Sequence, residues 1–268
     1  HTAFFSDIQN FSTFSEQLEP EKMVKLMNEY LTEMTDILLM HQGTLDKYIG
    51  DAIVAFYGAP APLVDQEKKA CSTALMMHNK LDELRKKWMK EDDWPDIVYQ
   101  MQHRIGLNSG QMVTGNMGSE MRMNYTMMGD TVNLAARLEP AAKQYGVYIL
   151  VGEKVYEASN DEFAFRFLDF LSVKGKEIPA KTYELIDRKE SIDKRSIELI
   201  KTFEEGLDNY FNQKWDHAIK SFLKSINFED DFPGRNTNPS QVFLDRCNYF
   251  KQNPPDLNWD GVWKMTSK

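Results

Sequence analysis

Thr44-Leu45-Asp46-Lys47-Tyr48-Ile49-Gly50-Asp51-Ala52-Ile53-Val54-Ala55-Phe56-Tyr57 is the stretch on which the fold turns. Two runs rich in β-branched and aromatic residues flank Ile49-Gly50-Asp51, the pattern of two antiparallel strands joined by a tight turn. Upstream, Met23, Met27, Leu31, Met34 and Leu38 recur every three or four residues behind Pro20, so an amphipathic helix is expected over about 20–41. Those methionines read as core packing. A short apolar strand at 2–6 precedes that helix. Downstream, a second helix is expected over about 64–88, then a charged, solvated loop, Lys90-Glu91-Asp92-Asp93-Trp94-Pro95. Strands at 103–107 and 111–115 should flank Asn108-Ser109-Gly110, a helix should start near Asp130, and shorter strands should lie near 147–151, 164–172 and 181–186. This alternation implies an α+β class, a mixed sheet with helices packed against it.

The bulk properties narrow the function. With 42% hydrophobic and 27% charged residues among 268, the chain has the composition of an ordinary globular protein. A net charge of −9 and the lack of a dense basic stripe argue against nucleic acid as a partner. Cys71 and Cys247 lie far apart in unlike contexts and read as reduced thiols of a cytoplasmic protein. No apolar run approaches the roughly 20 residues that span a bilayer, so no membrane contact is expected of this piece. It begins with His1-Thr2-Ala3-Phe4-Phe5 already inside a strand. A fragment of a longer polypeptide is therefore expected, with any membrane anchor or sensor domain upstream.

After Asp187 the composition changes. Arg188-Lys189-Glu190-Ser191 reads as a linker, and 192–252 as a small helical appendage packed on the main domain or on a dimer mate. Gly206, Ala218 and Phe222 have the spacing of one tetratricopeptide-like helical pair, which alone cannot build a solenoid. An extended Pro254-Pro255 tail follows, with Trp259 and Trp263 as a clamp. The chain thus divides into 1–187 and 188–268.

Asp7 stands at the end of the first strand and Asp51 in the hairpin turn. If those strands are neighbours, the two carboxylates converge and can hold hard divalent cations through oxygen. Either aspartate alone is well explained otherwise, Asp7 as a loop cap and Asp51 as the favoured residue of a Gly-Asp turn. Asn133 and Arg137 are four apart, hence on one face of a helix.

The wider pattern is more specific. Phe5-Ser6-Asp7-Ile8, Lys47-Tyr48-Ile49-Gly50-Asp51, Tyr125-Thr126 through Asn133-Leu134-Ala135-Ala136-Arg137-Leu138-Glu139, and Val173-Lys174-Gly175-Lys176 before Tyr183-Glu184-Leu185 appear in that order. Together they resemble the class III nucleotidyl cyclase catalytic domain, from about residue 2 to Glu184. The resemblance implies a ferredoxin-like, palm-type mixed sheet and an adenylyl cyclase that makes cyclic AMP and pyrophosphate from ATP. It implies that Asp7, Asp51 and the Ile8 carbonyl bind two divalent ions, Mg2+ or Mn2+. Asn133 would meet the ribose and Arg137 the α-phosphate, while Arg122 and Lys174 or Lys176 would reach the β- and γ-phosphates. Lys47 and Thr126 match the base-reading positions. A lysine donates to adenine N1 and a threonine can accept from the 6-amino group, so the pair favours ATP. Threonine there is similar to the bacterial and soluble subclass, often stimulated by bicarbonate, where common membrane-bound cyclases carry aspartate.

Lys47 and Asp51 flank one hairpin, yet the family uses them at opposite ends of a nucleotide. The family's arrangement is a head-to-tail homodimer whose sites combine the aspartates of one chain with the base, ribose and phosphate groups of the other. Guanylyl cyclase would keep Asp7, Asp51, Asn133 and Arg137 but place an acid near Lys47. An inactive nucleotide-sensing or dimerisation domain is the second alternative, and all six expected side-chain roles are filled.

Overall fold

A largely buried β1 (Thr2–Ile8) lies inside a mixed seven-stranded sheet in the computed structural model, which describes residues 1–171, 179–256 and 259–263. After β1 and a short α1 (Phe11–Ser15) come α2 (Pro20–Met40), β2 (Thr44–Ile49), β3 (Ala52–Tyr57), α3 (Gln66–Glu91), a short α4 (Asp96–Tyr99) and β4 (His103–Ser109). β1, β3 and β4 pair antiparallel, and β2 lines the edge beside β3, giving the order β2-β3-β1-β4 of a ferredoxin-like core. A hairpin of β5 (Val113–Ser119) and β6 (Arg122–Met128) forms its own two-stranded sheet, and α5 (Asp130–Tyr145) follows. β7 (Ile149–Gly152) joins β4 in parallel, and beyond α6 (Glu153–Ser159) the strands β8 (Phe163–Leu171) and β9 (Ala180–Arg188) complete the sheet in the order β7-β9-β8. The α+β expectation holds.

Period-2 alternation sorts the two faces. Phe4, Ile53, Ala55, Tyr57, Ile105 and Leu107 pack under α2 and α3, where Met27, Met34 and Leu38 are buried core as the helical spacing demands. Ala3, Val54 and Phe56 point to the other face and meet Met127, Val132 and Ala135 from β6 and α5. Gly106 sets how close α5 comes. A Cβ there would lie 2.5 Å from the Ala135 carbonyl oxygen and 2.6 Å from the Glu139 nitrogen, so only glycine lets this helix lie on β4.

Two expectations need correction. The charged stretch after 89 is not simply a solvated loop: α3 runs on to Glu91, and Trp94 is buried with its Nε1–H donating to Glu91 Oε2 at 2.9 Å. The strand expected at 111–115 begins at Val113 and extends to Ser119.

The remaining helices, α7 (Lys194–Phe211), α8 (Trp215–Ile226) and α9 (Pro239–Gln252), pack on the main domain. Phe203, Leu207, Tyr210, Phe222, Phe243 and Phe250 share one hydrophobic cluster with Leu134, Leu138 and Ala142 of α5 and with Leu150 and Leu168 of the sheet. Arg166 in β8, only 1% exposed, bonds to Glu229 beyond α8 at 2.7 and 3.3 Å and to Glu184 of β9 at 2.6 Å. Trp259 packs edge-on against Tyr210, and Trp263 meets Phe250.

Candidate active site

The β2–β3 turn is built around Gly50, whose φ of 64° lies in the left-handed region while nothing crowds its missing Cβ. Glycine is needed there for the backbone and not for space. The turn brings Asp51 over the end of β1. The Ile8 N–H donates to Asp51 Oδ2 at 3.0 Å, and β1 pairs directly with β3, so the neighbour relation that the two aspartates required is met through β3. Burial, and then the Asp7 carboxyl beside it, push the Asp51 carboxyl up to about 7. Two carboxyls that disfavour a second negative charge at neutral pH are an oxygen donor set into which a divalent cation fits in place of the proton. Among the described residues no cluster of three or more His, Cys, Asp and Glu side chains is present. Asp7, Asp51 and main-chain oxygen are the groups that could serve such a site.

Asp7 follows the alternation of Ala3 and Phe5 and faces α5, opposite Arg104 in the β1–β4 register. Arg104 Nε donates to Glu139 Oε1 of α5 at 2.9 Å. Burial raises the Glu139 pKa, Arg104 opposes that shift, and the Asp7 charge adds to it. On the opposite side of β1, the Tyr30 hydroxyl bonds to His103 Nδ1 at 3.0 Å, and burial pushes the phenol up and the imidazole down. Neither pair was legible in the sequence, because each partner lies tens of residues away.

Lys47 and Thr126 meet. Lys47 Nζ donates to Thr126 Oγ1 at 3.4 Å, which joins edge strand β2 to hairpin strand β6. Asp46, which the sequence reading passed over, completes the group by accepting from the Thr126 hydroxyl. Asn133 and Arg137 share the exposed stripe of α5 with Ala136, while Leu134, Ala135, Leu138 and Glu139 turn inward. Arg122 is exposed at the tip of the β5–β6 hairpin, opposite Ser119. Lys174 and Lys176 lie outside the described residues.

The sequence pattern of the family described as "Adenylate and Guanylate cyclase catalytic domain" matches residues 1–187. The chain belongs to this family. The cyclase domain is 32% identical over 185 residues to adenylate cyclase 1 of Rhizobium meliloti (strain 1021), covering 69% of this chain and 27% of that protein, so the chain spans about a quarter of that relative's length. Among solved structures it is similar to the adenylyl cyclase CyaB from P. aeruginosa, with a TM-score of 0.64 and 34% identity over 72% of this chain and 96% of that one. It is also similar to the guanylyl cyclase Cya2, with a TM-score of 0.61 and 30% identity over 72% of this chain and 94% of that one. Proteins named for either activity therefore share this fold.

Proposed function

We propose that the cyclase domain converts ATP to 3′,5′-cyclic AMP and pyrophosphate in a site shared between two copies of the chain. The observation that carries this reading is the meeting of Lys47 and Thr126, 79 positions apart in sequence, at 3.4 Å. Adenine offers them an acceptor at N1 and a donor at its 6-amino group; guanine reverses both polarities.

At the triphosphate end, Asp7, Asp51 and the Ile8 carbonyl would hold two divalent ions, Mg2+ or Mn2+. Such ions, when bound, lower the pKa of the ribose 3′-hydroxyl and offset charge on the phosphates. Asn133 orients the ribose and Arg137 stabilises the charge growing on the α-phosphate as the hydroxyl attacks in line. Arg122 and Lys174 are assigned to the β- and γ-phosphates. No covalent intermediate is required.

The direction of the side chains supports a shared site. Asp7 lies on the sheet face beneath α5, whereas Asn133 and Arg137 occupy the outward stripe of that helix. A head-to-tail homodimer lets the outward stripe of one chain meet the carboxylates of the other. The buried free cysteines support a cytoplasmic setting. No helix among the described residues is long and apolar enough to cross a membrane. We assign 188–268 to a tetratricopeptide-like helical extension with a Pro/Trp tail that braces the catalytic domain.

The test is to incubate the protein with ATP or GTP and Mn2+ or Mg2+ and identify the product by mass-resolved chromatography. Cyclic AMP that disappears in Asp51→Ala is expected. Cyclic GMP as the main product, or cyclic AMP undiminished in Asp51→Ala, overturns the reading.

A further inference from the structure

Asp46 should not be where it is. It lies on β2, the edge strand of the sheet, yet its side chain is 2% exposed while that of its neighbour Lys47 is 39% exposed. The ladder explains this. In the β2–β3 register Leu45 faces Ala55 and Lys47 faces Val54, so Asp46 is an extra residue without a partner, a β-bulge. A bulge suspends the strict alternation of a strand and lets two successive side chains point to one side. Both Asp46 and Lys47 accordingly reach Thr126.

The polarity of the three groups is fixed by what each can donate. A threonine hydroxyl has one proton, and Thr126 gives it to Asp46 Oδ2. The lysine ammonium lies 3.4 Å from Thr126 Oγ1 and 3.3 Å from Asp46 Oδ1. Asp46 Oδ1 is buried and accepts no hydrogen bond, and Lys47 pairs with it as an ion at 3.3 Å. With its proton committed inward, Thr126 presents only lone pairs to a ligand. A purine 6-amino group can donate to them, whereas a 6-oxo group meets oxygen with oxygen.

We propose that Asp46 is the positioning residue that sets nucleotide selectivity: it holds Thr126 as an obligate hydrogen-bond acceptor and so excludes 6-oxopurines. The inference rests on the base-reading roles proposed for Lys47 and Thr126. Without Asp46 the hydroxyl is a free rotor that can donate to O6 as readily as it accepts from an amine. An acid beside the lysine is also the feature a guanine reader would show, but this one is turned inward and engaged by Thr126. It works against guanine through its neighbour.

The experiment compares kcat/KM for ATP and for GTP, with Mn2+, in the wild type, Asp46→Ala, Asp46→Asn, Thr126→Val and the Asp46→Ala/Thr126→Val double variant. Taking both substrates on one preparation cancels any loss of folded protein. Asp46→Ala is expected to raise the GTP-to-ATP ratio about tenfold or more, since loss of a fixed hydrogen-bond polarity is worth at least that in discrimination. Asp46→Asn, whose amide can donate to Thr126 as well as accept, should move the ratio the same way by less. In the Thr126→Val background, which has no hydroxyl to orient, Asp46→Ala should leave the ratio where Thr126→Val put it. A wild type that makes cyclic AMP, combined with variants that lose both activities equally at constant ratio, makes Asp46 merely structural and overturns the proposal alone. A wild type that prefers GTP overturns the base-reading roles themselves.

Discussion

Asp51 binds its proton more tightly in the folded than in the unfolded chain, because burial and the neighbouring Asp7 both oppose its charge. Folding therefore takes up a proton between the ordinary 3.8 and about 7, and the metal-free protein loses stability as pH rises through that window. Among the described residues, Arg104 faces Asp7 across the ladder, and Glu139 and Tyr30 feel the charge of the pair. Asp51→Asn, which removes the charge and keeps the shape, should stabilise the metal-free protein by about 1 kcal/mol at pH 8, a value discounted for the half-exposure of the carboxyl, and do nothing near pH 4. Urea unfolding in EDTA at the two pH values checks this; a variant equally stabilised at both would show that charge is not the cause. At this scale the sequence was informative about identity and blind to polarity. Asp7, Asp51, Lys47 and Thr126 were singled out from their motif neighbours, whereas Asp46, which the structure places against Thr126, was passed over because a β-bulge leaves no mark in residue order.

Elements position these residues, and the approach of α5 to β4 is closest at Gly106. A Cβ on Gly106 would run into the backbone of Ala135 and Glu139, so Gly106→Ala should force the helix off β4 at a cost of about 2 kcal/mol, typical of overpacking. The shift carries Asn133 and Arg137 with it, and cyclase activity of the folded fraction should fall too. A variant within 0.5 kcal/mol of wild type by urea unfolding, about the scatter of ordinary surface substitutions, would mean the helix has room to spare. The elements themselves were largely legible. Alternation marks β1 and β3, the methionine stripe marks α2, and Gly50 marks the turn, because in each case burial on one face imposes a local period. The ends of α3 and β5 were misplaced, since charged Lys90 and Glu91 continue a helix whose buried Trp94 lies beyond them, and hairpin register is set by cross-strand pairing.

Across the whole molecule, the helices after Ile192 and the sheet share a hydrophobic cluster and a buried charge network. Glu229 answers both Arg166 and Arg235; Arg235 is a neighbour in sequence but Arg166 lies 63 positions away, which is why the docking surface could not be read in advance. Removing one member of a buried ion pair leaves an uncompensated charge, so Glu229→Ala should cost about 3 kcal/mol in urea unfolding, with one cooperative transition retained. An early separate transition would mean that the helices stand apart from the sheet. The central claim concerns two such molecules together. It is tested most directly by mixing Asp7→Ala protein with Arg137→Ala protein and measuring cyclic AMP from ATP. Each variant alone should be inactive, and the mixture should recover activity, because one site of the heterodimer keeps both aspartates and the arginine. If the mixture stays inactive while mass measurement shows that the two variants exchange freely into heterodimers, the site does not span two chains.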